Sequence, residues 1–283
     1  MARYVSPVLP DTGLDAAWAG LVDDAAIFPP GDAPIHEATA AYGARSLEDG
    51  AELVGSFVLR DTDLPLVRGV AMPLSVVVMG GAGQLAGPVG LARRLGMNLA
   101  GLEIALRDLD DLAGNAKRVV AALREVEAEV PVYVELPHVG STASWLAAAD
   151  EVAAAELRLK FRTGGLDASA FPSAHALARW INAALDRETP FKCTAGLHNA
   201  VRHTSDEGFE HHGFLNVLVA TRLLFDGASV DDAVTVLEQR QSSHLVKAAH
   251  ELDLAGARRW FTSFGSCSVA EPWADLRDLG LVP

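Results

Sequence analysis

The chain has 283 residues, of which 50% are hydrophobic and 21% charged, and its formal net charge is -14 at pH 7. This balance is that of a globular protein with a large core, and it excludes intrinsic disorder. The negative charge offers no basic surface for the phosphates of nucleic acid, so we predict no nucleic-acid partner.

The chain also lacks the signs of export or of a membrane span. Residues 1–10 carry an early cation but no continuous apolar stretch of signal-peptide length. No later segment has the run of about 18 apolar residues that a membrane helix needs. The two cysteines, Cys193 and Cys267, lie in separate apolar segments and have no ligand-like spacing. We therefore predict a cytoplasmic protein without a metal or other cofactor.

Short apolar runs rich in β-branched residues alternate along the chain with longer segments of helical periodicity. Parallel βαβ units have this pattern in sequence. The eight predicted strands are Ala25–Pro29, Val54–Arg60, Leu74–Met79, Leu102–Arg107, Val132–Leu136, Leu157–Arg162, Phe191–Ala195 and Trp260–Ser266. Eight units and a length near the typical 250 residues or so favour a closed barrel over an open, doubly wound sheet.

The interval between the seventh and eighth strands is too long for one helix. Its apolar periodicity predicts helices over Phe214–Phe225 and Val230–Leu237, and a third around His244–Leu254. No linker or low-complexity tract divides the chain. The predicted fold class is α/β: a single (β/α)8 TIM barrel over residues 1–283, with extra helices between strands seven and eight. Their apolar faces could build a homo-oligomer interface.

Alternation along the sixth strand separates apolar from charged side chains. Arg158, Lys160 and Arg162 share one face, while the leucines and Phe161 share the other. Side chains of barrel strands alternate between the interior and the helix layer, and active sites lie where the strands end. The charged face should therefore point into the barrel, where Arg158 and Arg162 could hold an anionic group of a substrate.

Neighbouring strands add further ionisable groups on the same side. Lys192 and Thr194 share one face of the seventh strand, Glu135 points inward from the fifth, and Glu103 adds a carboxylate on the fourth. Strands lie about 4.8 Å apart, so long side chains at similar heights can touch. We predict that Lys160, Lys192, Glu135 and Glu103 meet at one rim of the barrel.

Two lysines this close repel each other when both are charged, and a water-poor site disfavours the ammonium form further. We therefore expect the pKa of one lysine to fall below its usual value of about 10.4. A neutral amine can attack a carbonyl to form a Schiff base, after which Glu135 or Glu103 could move protons at the adjacent carbon. An ion-pair layer of purely structural role would use the same residues.

Two windows resemble a known family. Lys160 followed by Thr163-Gly164, and Lys192 followed by Thr194-Ala195-Gly196, resemble the two lysine strands of the class I deoxyribose-phosphate aldolases. The resemblance implies a barrel with Lys160 as the Schiff-base lysine and Lys192 as the lysine that tunes it. Glu103 lies two positions from the acidic residue of that family, on the same strand face.

The turn after the second lysine departs from that family, because Gly196 is followed by Leu197-His198-Asn199, so a phosphorylated sugar is not the expected substrate. The segments Phe28–Gly31, Lys160–Gly165 and Lys192–His198 also resemble an unassigned bacterial family, which implies no activity by itself.

Small polar residues and a histidine follow the last two strands. His198 lies just past strand seven and could act as an acid or base near neutral pH. Ser266 and Ser268 end strand eight, where they could hold a phosphate or carboxylate, although turn chemistry alone would also explain them. His203, His211 and His212 with nearby acidic residues could make a metal site, but they have no known ligand spacing.

We thus expect a lyase or isomerase that acts on a small polar carbonyl compound through an imine at Lys160. Two alternatives remain open. Glu103 and Glu135 could bind a divalent cation while a lysine removes a proton from a carbon acid. The chain could also be a small-molecule binding or assembly barrel whose interior charges are structural.

Overall fold

The computed structural model describes residues 13–45 and 48–283, which form a closed barrel of eight parallel strands. The strands are β1 (Val22–Asp24), β2 (Val54–Arg60), β3 (Leu74–Val78), β4 (Leu99–Ala105), β5 (Val132–Glu135), β6 (Arg158–Arg162), β7 (Phe191–Thr194) and β10 (Phe261–Ser266). The order around the barrel is sequential, and β10 closes it by pairing with both β7 and β1. The predicted (β/α)8 fold is confirmed.

Helices cover the outside of the barrel. They are α1 (Ile35–Arg45), α2 (Ala86–Leu95), α3 (Leu112–Val126), α4 (Ala143–Ala154), α5 (Ala174–Leu185), α6 (Phe214–Phe225), α7 (Val230–Leu237), α8 (Ser242–Glu251), α9 (Leu254–Ala257) and α10 (Ala270–Asp278). The predicted extra helices between the seventh and eighth barrel strands are therefore present as α6 to α9. A two-stranded hairpin, β8 (His203–Thr204) and β9 (Glu210–His211), precedes them.

The outward face of β6 shows how strand alternation positions the site. Phe161 packs against the rings of Trp145 in α4 and Trp180 in α5, at centroid distances of 6.3 and 5.8 Å. All three aromatic side chains are buried. Burial of a large aromatic side chain stabilises a fold by a few kcal/mol. This packing fixes the orientation of β6, so Lys160, the residue before Phe161, must point into the barrel.

The first strand lies earlier in the chain than the sequence predicts. The strand is Val22–Asp24, and the apolar run Ala25–Pro29 belongs to the loop that follows it, which contains a cis Pro29–Pro30 peptide bond. The prediction that Asp23 and Asp24 precede the strand is wrong. Asp23 is buried inside the barrel, where its carboxylate accepts hydrogen bonds from Ser56 and Ser263.

Within the described residues, no helix is both long enough and apolar enough to cross a lipid bilayer. The first ten residues, in which the sequence shows no signal-peptide pattern, lie outside the described part of the chain.

Candidate active site

A chain of alternating charges runs through the barrel interior. The Lys192 Nζ atom lies 2.6 Å from Asp23 Oδ2 and 2.7 Å from Glu103 Oε1. The Lys160 Nζ atom lies 2.8 Å from Glu103 Oε2 and 2.9 Å from Glu135 Oε2. Arg162 Nε continues the chain at 2.8 Å from Glu135 Oε1. The two lysines and three carboxylates meet as neighbours, and Glu103 joins the lysines with one oxygen for each.

Serine hydroxyls complete this network from the remaining strands. Ser56 in β2 and Ser263 in β10 each donate to Asp23 at 2.6 Å. Ser75 in β3 donates to Glu103 at 2.7 Å. Each of the eight barrel strands thus contributes at least one member to a single connected network. A buried charge needs such partners because it has lost its water.

Both lysines are held in the charged form. Burial alone would lower the pKa of Lys160, but attraction to Glu103 and Glu135 outweighs it and raises the pKa. The pKa of Lys192 is likewise raised, because attraction to Asp23 and Glu103 overcomes the effect of burial. The expectation that repulsion between the lysines lowers one pKa is therefore wrong. The physical reason is that the Glu103 carboxylate lies between the two ammonium groups and compensates both.

The carboxylates show the complementary effect. Burial alone would raise the pKa of Glu103 and of Glu135, but attraction to their cationic partners lowers both below the usual value. A carboxylate whose pKa is lower in the folded than in the unfolded state stabilises the fold, and this contribution is complete at every pH above the unfolded-state pKa.

This linkage predicts that acid destabilises the protein. Because the folded-state pKa values of Glu103 and Glu135 lie below the usual value of 4.5, their contribution is complete above about pH 4.5 and is lost as the pH falls through the folded values. We expect urea unfolding midpoints to fall steeply between pH 5 and the folded-state values. The variant Glu103→Gln should show a shallower fall, and equal slopes for the two proteins would contradict this assignment.

A cavity of about 590 Å³ opens above this network, at the carboxyl ends of the strands. Lys160, Glu103 and Glu135 line its floor. Lys192 is 1% exposed and lies in the layer beneath, where its Nζ atom is 5.2 Å from the centre of the Tyr133 ring. Lys160 is thus the lysine that a molecule in the cavity can reach.

The Lys160 ammonium still has one donor to offer. An ammonium group carries three N–H donors, and two of those of Lys160 are taken by Glu103 and Glu135. Among the described residues the third has no hydrogen-bond partner. The oxygen of a carbonyl compound in the cavity can therefore accept a hydrogen bond from Lys160 Nζ, the same nitrogen that would attack the carbonyl carbon.

Cations and aromatic rings form the wall of the cavity. Arg60, at the end of β2, stacks over Phe28 at 4.6 Å and forms a long ion pair, 3.5 Å, with Asp63. Arg162 uses its Nε atom for Glu135, and its side chain is 41% exposed. These guanidinium groups leave donors for an anionic group of a ligand. The apolar part of the wall includes Phe28, Leu166, Phe171, Phe209 and Met79.

The remaining residues predicted for substrate binding divide into two groups. Thr194 and His198 line the cavity with Arg162. Arg158 does not line it, because it begins β6 two residues below Lys160 and donates at 2.8 Å to the Tyr133 hydroxyl. An anion-binding role for Arg158 at the mouth is therefore not compatible with its position.

The two serines after the eighth barrel strand serve the local backbone. The Ser266 hydroxyl donates to the Ser268 carbonyl at 2.6 Å and accepts from the Ser268 N–H at 3.2 Å. The Ser268 hydroxyl accepts from the backbone N–H of Glu271 at the start of α10, and neither serine lines the cavity. Their positions match turn chemistry and differ from the predicted ligand-binding role.

The histidines after β7 are separately engaged. His211 makes a 3.1 Å hydrogen bond with the Gly196 carbonyl, and buried His212 makes one of 2.8 Å with the Pro172 carbonyl. Burial lowers the pKa of His212 to about 4. Across residues 13–45 and 48–283, no group of three or more His, Cys, Asp or Glu side chains has the arrangement of a metal site.

Sequence reasoning missed three residues that shape the site: Asp23, Arg60 and Cys267. Arg60 and Cys267 line the cavity, and Asp23 holds Lys192. The inward parity of β2, which places Ser56, Val58 and Arg60 on one face, is the sequence signal that could have identified Arg60.

No protein-family model and no curated protein matches the chain.

Proposed function

We propose that this chain is an enzyme that forms an imine between Lys160 and a small carbonyl compound, and that it catalyses a lyase or isomerase reaction. The observation that carries the proposal is the position of Lys160. Its ammonium lies on the cavity floor between two carboxylates, and its third N–H has no partner among the residues that the structure describes. The resemblance of both lysine strands to those of class I aldolases supports the same chemistry.

The first chemical step is the release of a proton from Lys160. Glu135 is the better acceptor, because it lies 2.9 Å from Nζ, lines the cavity and is less buried than Glu103, which is shared by both lysines. The neutral amine then attacks the carbonyl carbon, and loss of water from the adduct gives the protonated imine. Water needs a proton to leave, and the protonated Glu135 can return the one that it took.

The imine acts as an electron sink for the adjacent carbon. If a C–H bond at that carbon breaks, a carboxylate takes the proton; if a C–C bond to a hydroxyl-bearing carbon breaks, a carboxylate takes the hydroxyl proton and the fragment leaves as a carbonyl compound. In both cases the electron pair enters the imine to give an enamine, and return of a proton to an enamine carbon restores the imine. Glu135 can take part in this transfer, while the ion pair with Lys192 keeps Glu103 ionised beneath the site. Hydrolysis of the imine then regenerates the Lys160 amine.

The wall of the cavity indicates the kind of substrate. Arg60 and Arg162 favour a carbonyl compound that carries a carboxylate or another small anion, because guanidinium groups bind such anions with two parallel hydrogen bonds. The apolar wall favours a carbon chain beyond the reacting group. A small keto acid or an aldehyde acid meets both conditions.

Reduction with borohydride tests this proposal directly. The chain has four lysines, of which Lys117 and Lys247 are on the surface with side chains 64% and 72% exposed. Incubation with small aldehydes and keto acids, followed by borohydride and peptide mass spectrometry, should give an adduct at Lys160 at limiting reagent. Adducts confined to Lys117 and Lys247 would contradict the proposal.

The raised pKa of Lys160 makes trapping depend on pH. The neutral amine becomes available only as the pH rises through that pKa, so trapping in the wild type should increase into the alkaline range. In Glu135→Gln one carboxylate that stabilises the ammonium is lost, so the pKa falls. The midpoint of the trapping profile should then move to lower pH by about one pH unit or more. An unchanged midpoint would show that Glu135 does not control this amine.

The alternative of a divalent cation held by Glu103 and Glu135 finds less support from the geometry. The Lys160 ammonium lies between these two carboxylates, in the position that a shared cation would need. The alternative of a purely structural network is supported by one observation, namely that each charge from Asp23 to Arg162 has an ionic partner. Borohydride trapping distinguishes a structural network from imine chemistry, because a structural network gives no preference for Lys160 over the surface lysines.

A further inference from the structure

A cysteine, a histidine and a glutamate lie together at the mouth of the cavity. Cys267 directly follows β10, His198 follows β7, and Glu271 is in the first turn of α10. Both Cys267 and His198 line the cavity, and the imine chemistry described above uses neither. The two barrel strands that precede them are hydrogen-bonded neighbours.

The distances define a contact between the thiol and the imidazole ring. Cys267 Sγ lies 3.7 Å from Nε2 and 3.9 Å from Nδ1 of His198. Such nearly equal distances mean that the sulfur lies beside the ring and is not aligned with one nitrogen. His198 Nδ1 is in turn 2.9 Å from Glu271 Oε2. The ring is therefore placed between a sulfur and a carboxylate.

The loop after β1 packs closely against Cys267. A Cβ atom at Gly31 would lie only 2.9 Å from the Cβ atom of Cys267, so only glycine fits there without movement. The contact with Cys267 and that with Glu271 raise the pKa of His198 to about 9, against the effect of burial. His198 is thus an imidazolium at neutral pH, and an imidazolium beside a sulfur can donate a proton to a group that leaves from that sulfur.

We propose that Cys267 is a reactive thiol site, at which low-molecular-weight disulfides form a mixed disulfide with the protein. The Cys267 thiolate attacks one sulfur of the disulfide, the S–S bond of that molecule breaks, and its electron pair leaves on the second sulfur. The leaving thiolate takes a proton from the His198 imidazolium, and the product is a free thiol. A second thiol reverses the reaction.

The mixed disulfide would occupy the cavity that contains Lys160. The substituent on Cys267 projects into the same volume of about 590 Å³, so its presence closes the path to the floor. The site would therefore connect the oxidation state of the surrounding thiol pool to access to Lys160. The thiol reactivity itself does not depend on imine formation.

Alkylation measures this reactivity, with Cys193 as the internal control. Cys193 is fully buried in β7, where burial raises the pKa of its thiol. At pH 7 with limiting iodoacetamide, peptide mass spectrometry should show Cys267 labelled roughly fivefold or more faster than N-acetylcysteine, and Cys193 unlabelled. His198→Gln should remove this advantage, and Glu271→Gln, at an exposed position, should reduce it. Thermal unfolding establishes that both variants are folded.

Oxidised glutathione is the probe for the disulfide reaction. We expect the wild type to gain one glutathionyl group, at Cys267, that dithiothreitol removes, and Cys267→Ser to gain none. Labelling of Cys267 no faster than N-acetylcysteine, or labelling unaffected in folded His198→Gln, would overturn the proposal. If Lys160 forms no imine but Cys267 reacts as described, the thiol site stands and only the proposed function fails.

Discussion

Lys160→Met is expected to eliminate the borohydride adduct and to lower any carbonyl turnover by at least about a thousandfold, as loss of a covalent nucleophile does in other enzymes. Methionine has a similar length but offers no amine. The fold should survive, because Glu103 keeps its ion pair with Lys192 and Glu135 keeps that with Arg162. Trapping by mass spectrometry and a thermal melt of the same sample measure both effects.

Lys247→Met is the matched control for this experiment. Lys247 lies on α8, and within residues 13–45 and 48–283 its only ion pair is a 3.8 Å contact with Glu251 on the same helix. Its replacement should leave the adduct at Lys160 unchanged and alter stability by no more than about 0.5 kcal/mol. An adduct of undiminished yield in Lys160→Met, on any other lysine, would mean that Lys160 is not the reacting amine.

Lys192→Met is expected to destabilise the fold by about 3–5 kcal/mol, because it leaves a buried carboxylate without its cation. Asp23 is 5% exposed, and Lys192 is the lysine that contacts it. Serine hydroxyls keep hydrogen bonds to Asp23 but supply no positive charge. For a chain of 283 residues the unfolding midpoint should fall by roughly 5–8 °C.

A double variant separates the lost ion pair from the lost volume of the side chain. In Asp23→Asn with Lys192→Met, the unpaired charge is removed, and the neutral amide can still pair with Ser56 or Ser263. The double variant should recover part of the stability that Lys192→Met loses, which is a coupling of neighbouring residues. If the double variant is less stable than Lys192→Met by the full cost of Asp23→Asn, the two residues are not coupled and the ion pair does not stabilise the fold.

Strand parity in the sequence was sufficient to predict which charged residues meet. Lys160, Lys192, Glu135 and Glu103 occupy inward positions of four neighbouring strands, and the structure brings them within direct contact. Alternation is a local property of each strand, so it can be read without knowledge of the rest of the fold. Helical periodicity, which is also a local property, predicted the boundaries of α6 and α7 correctly.

The electrostatic state of the lysines could not be predicted in this way. The sequence indicates that Lys160 and Lys192 are close, but their pKa values depend on which atoms lie between them. Glu103 supplies one carboxylate oxygen to each lysine, and that arrangement depends on the relative heights of β4, β6 and β7. The pKa of each of two neighbouring lysines falls if they only repel each other, and it rises if a carboxylate lies between them.

Asp23 was missed for a different reason. Its strand has only three residues, and two of these are aspartates, which are depleted in strands. The apolar run that follows has the composition of a strand but forms a loop. Long-range pairing with Ser56, Lys192 and Ser263 stabilises Asp23 in the barrel, and none of these partners is near it in sequence.

Each of the eight strands contributes at least one side chain to the charged network. Because the network is complete only when all eight strands are in place, we expect the site to assemble cooperatively. Ser263, from the last barrel strand along the chain, is 240 positions from its partner Asp23. A chain whose final strand has not yet docked would leave Asp23 and Lys192 open to water, with ordinary solution chemistry. During refolding, the selective reactivity of Lys160 should therefore return at the same rate as closure of the barrel.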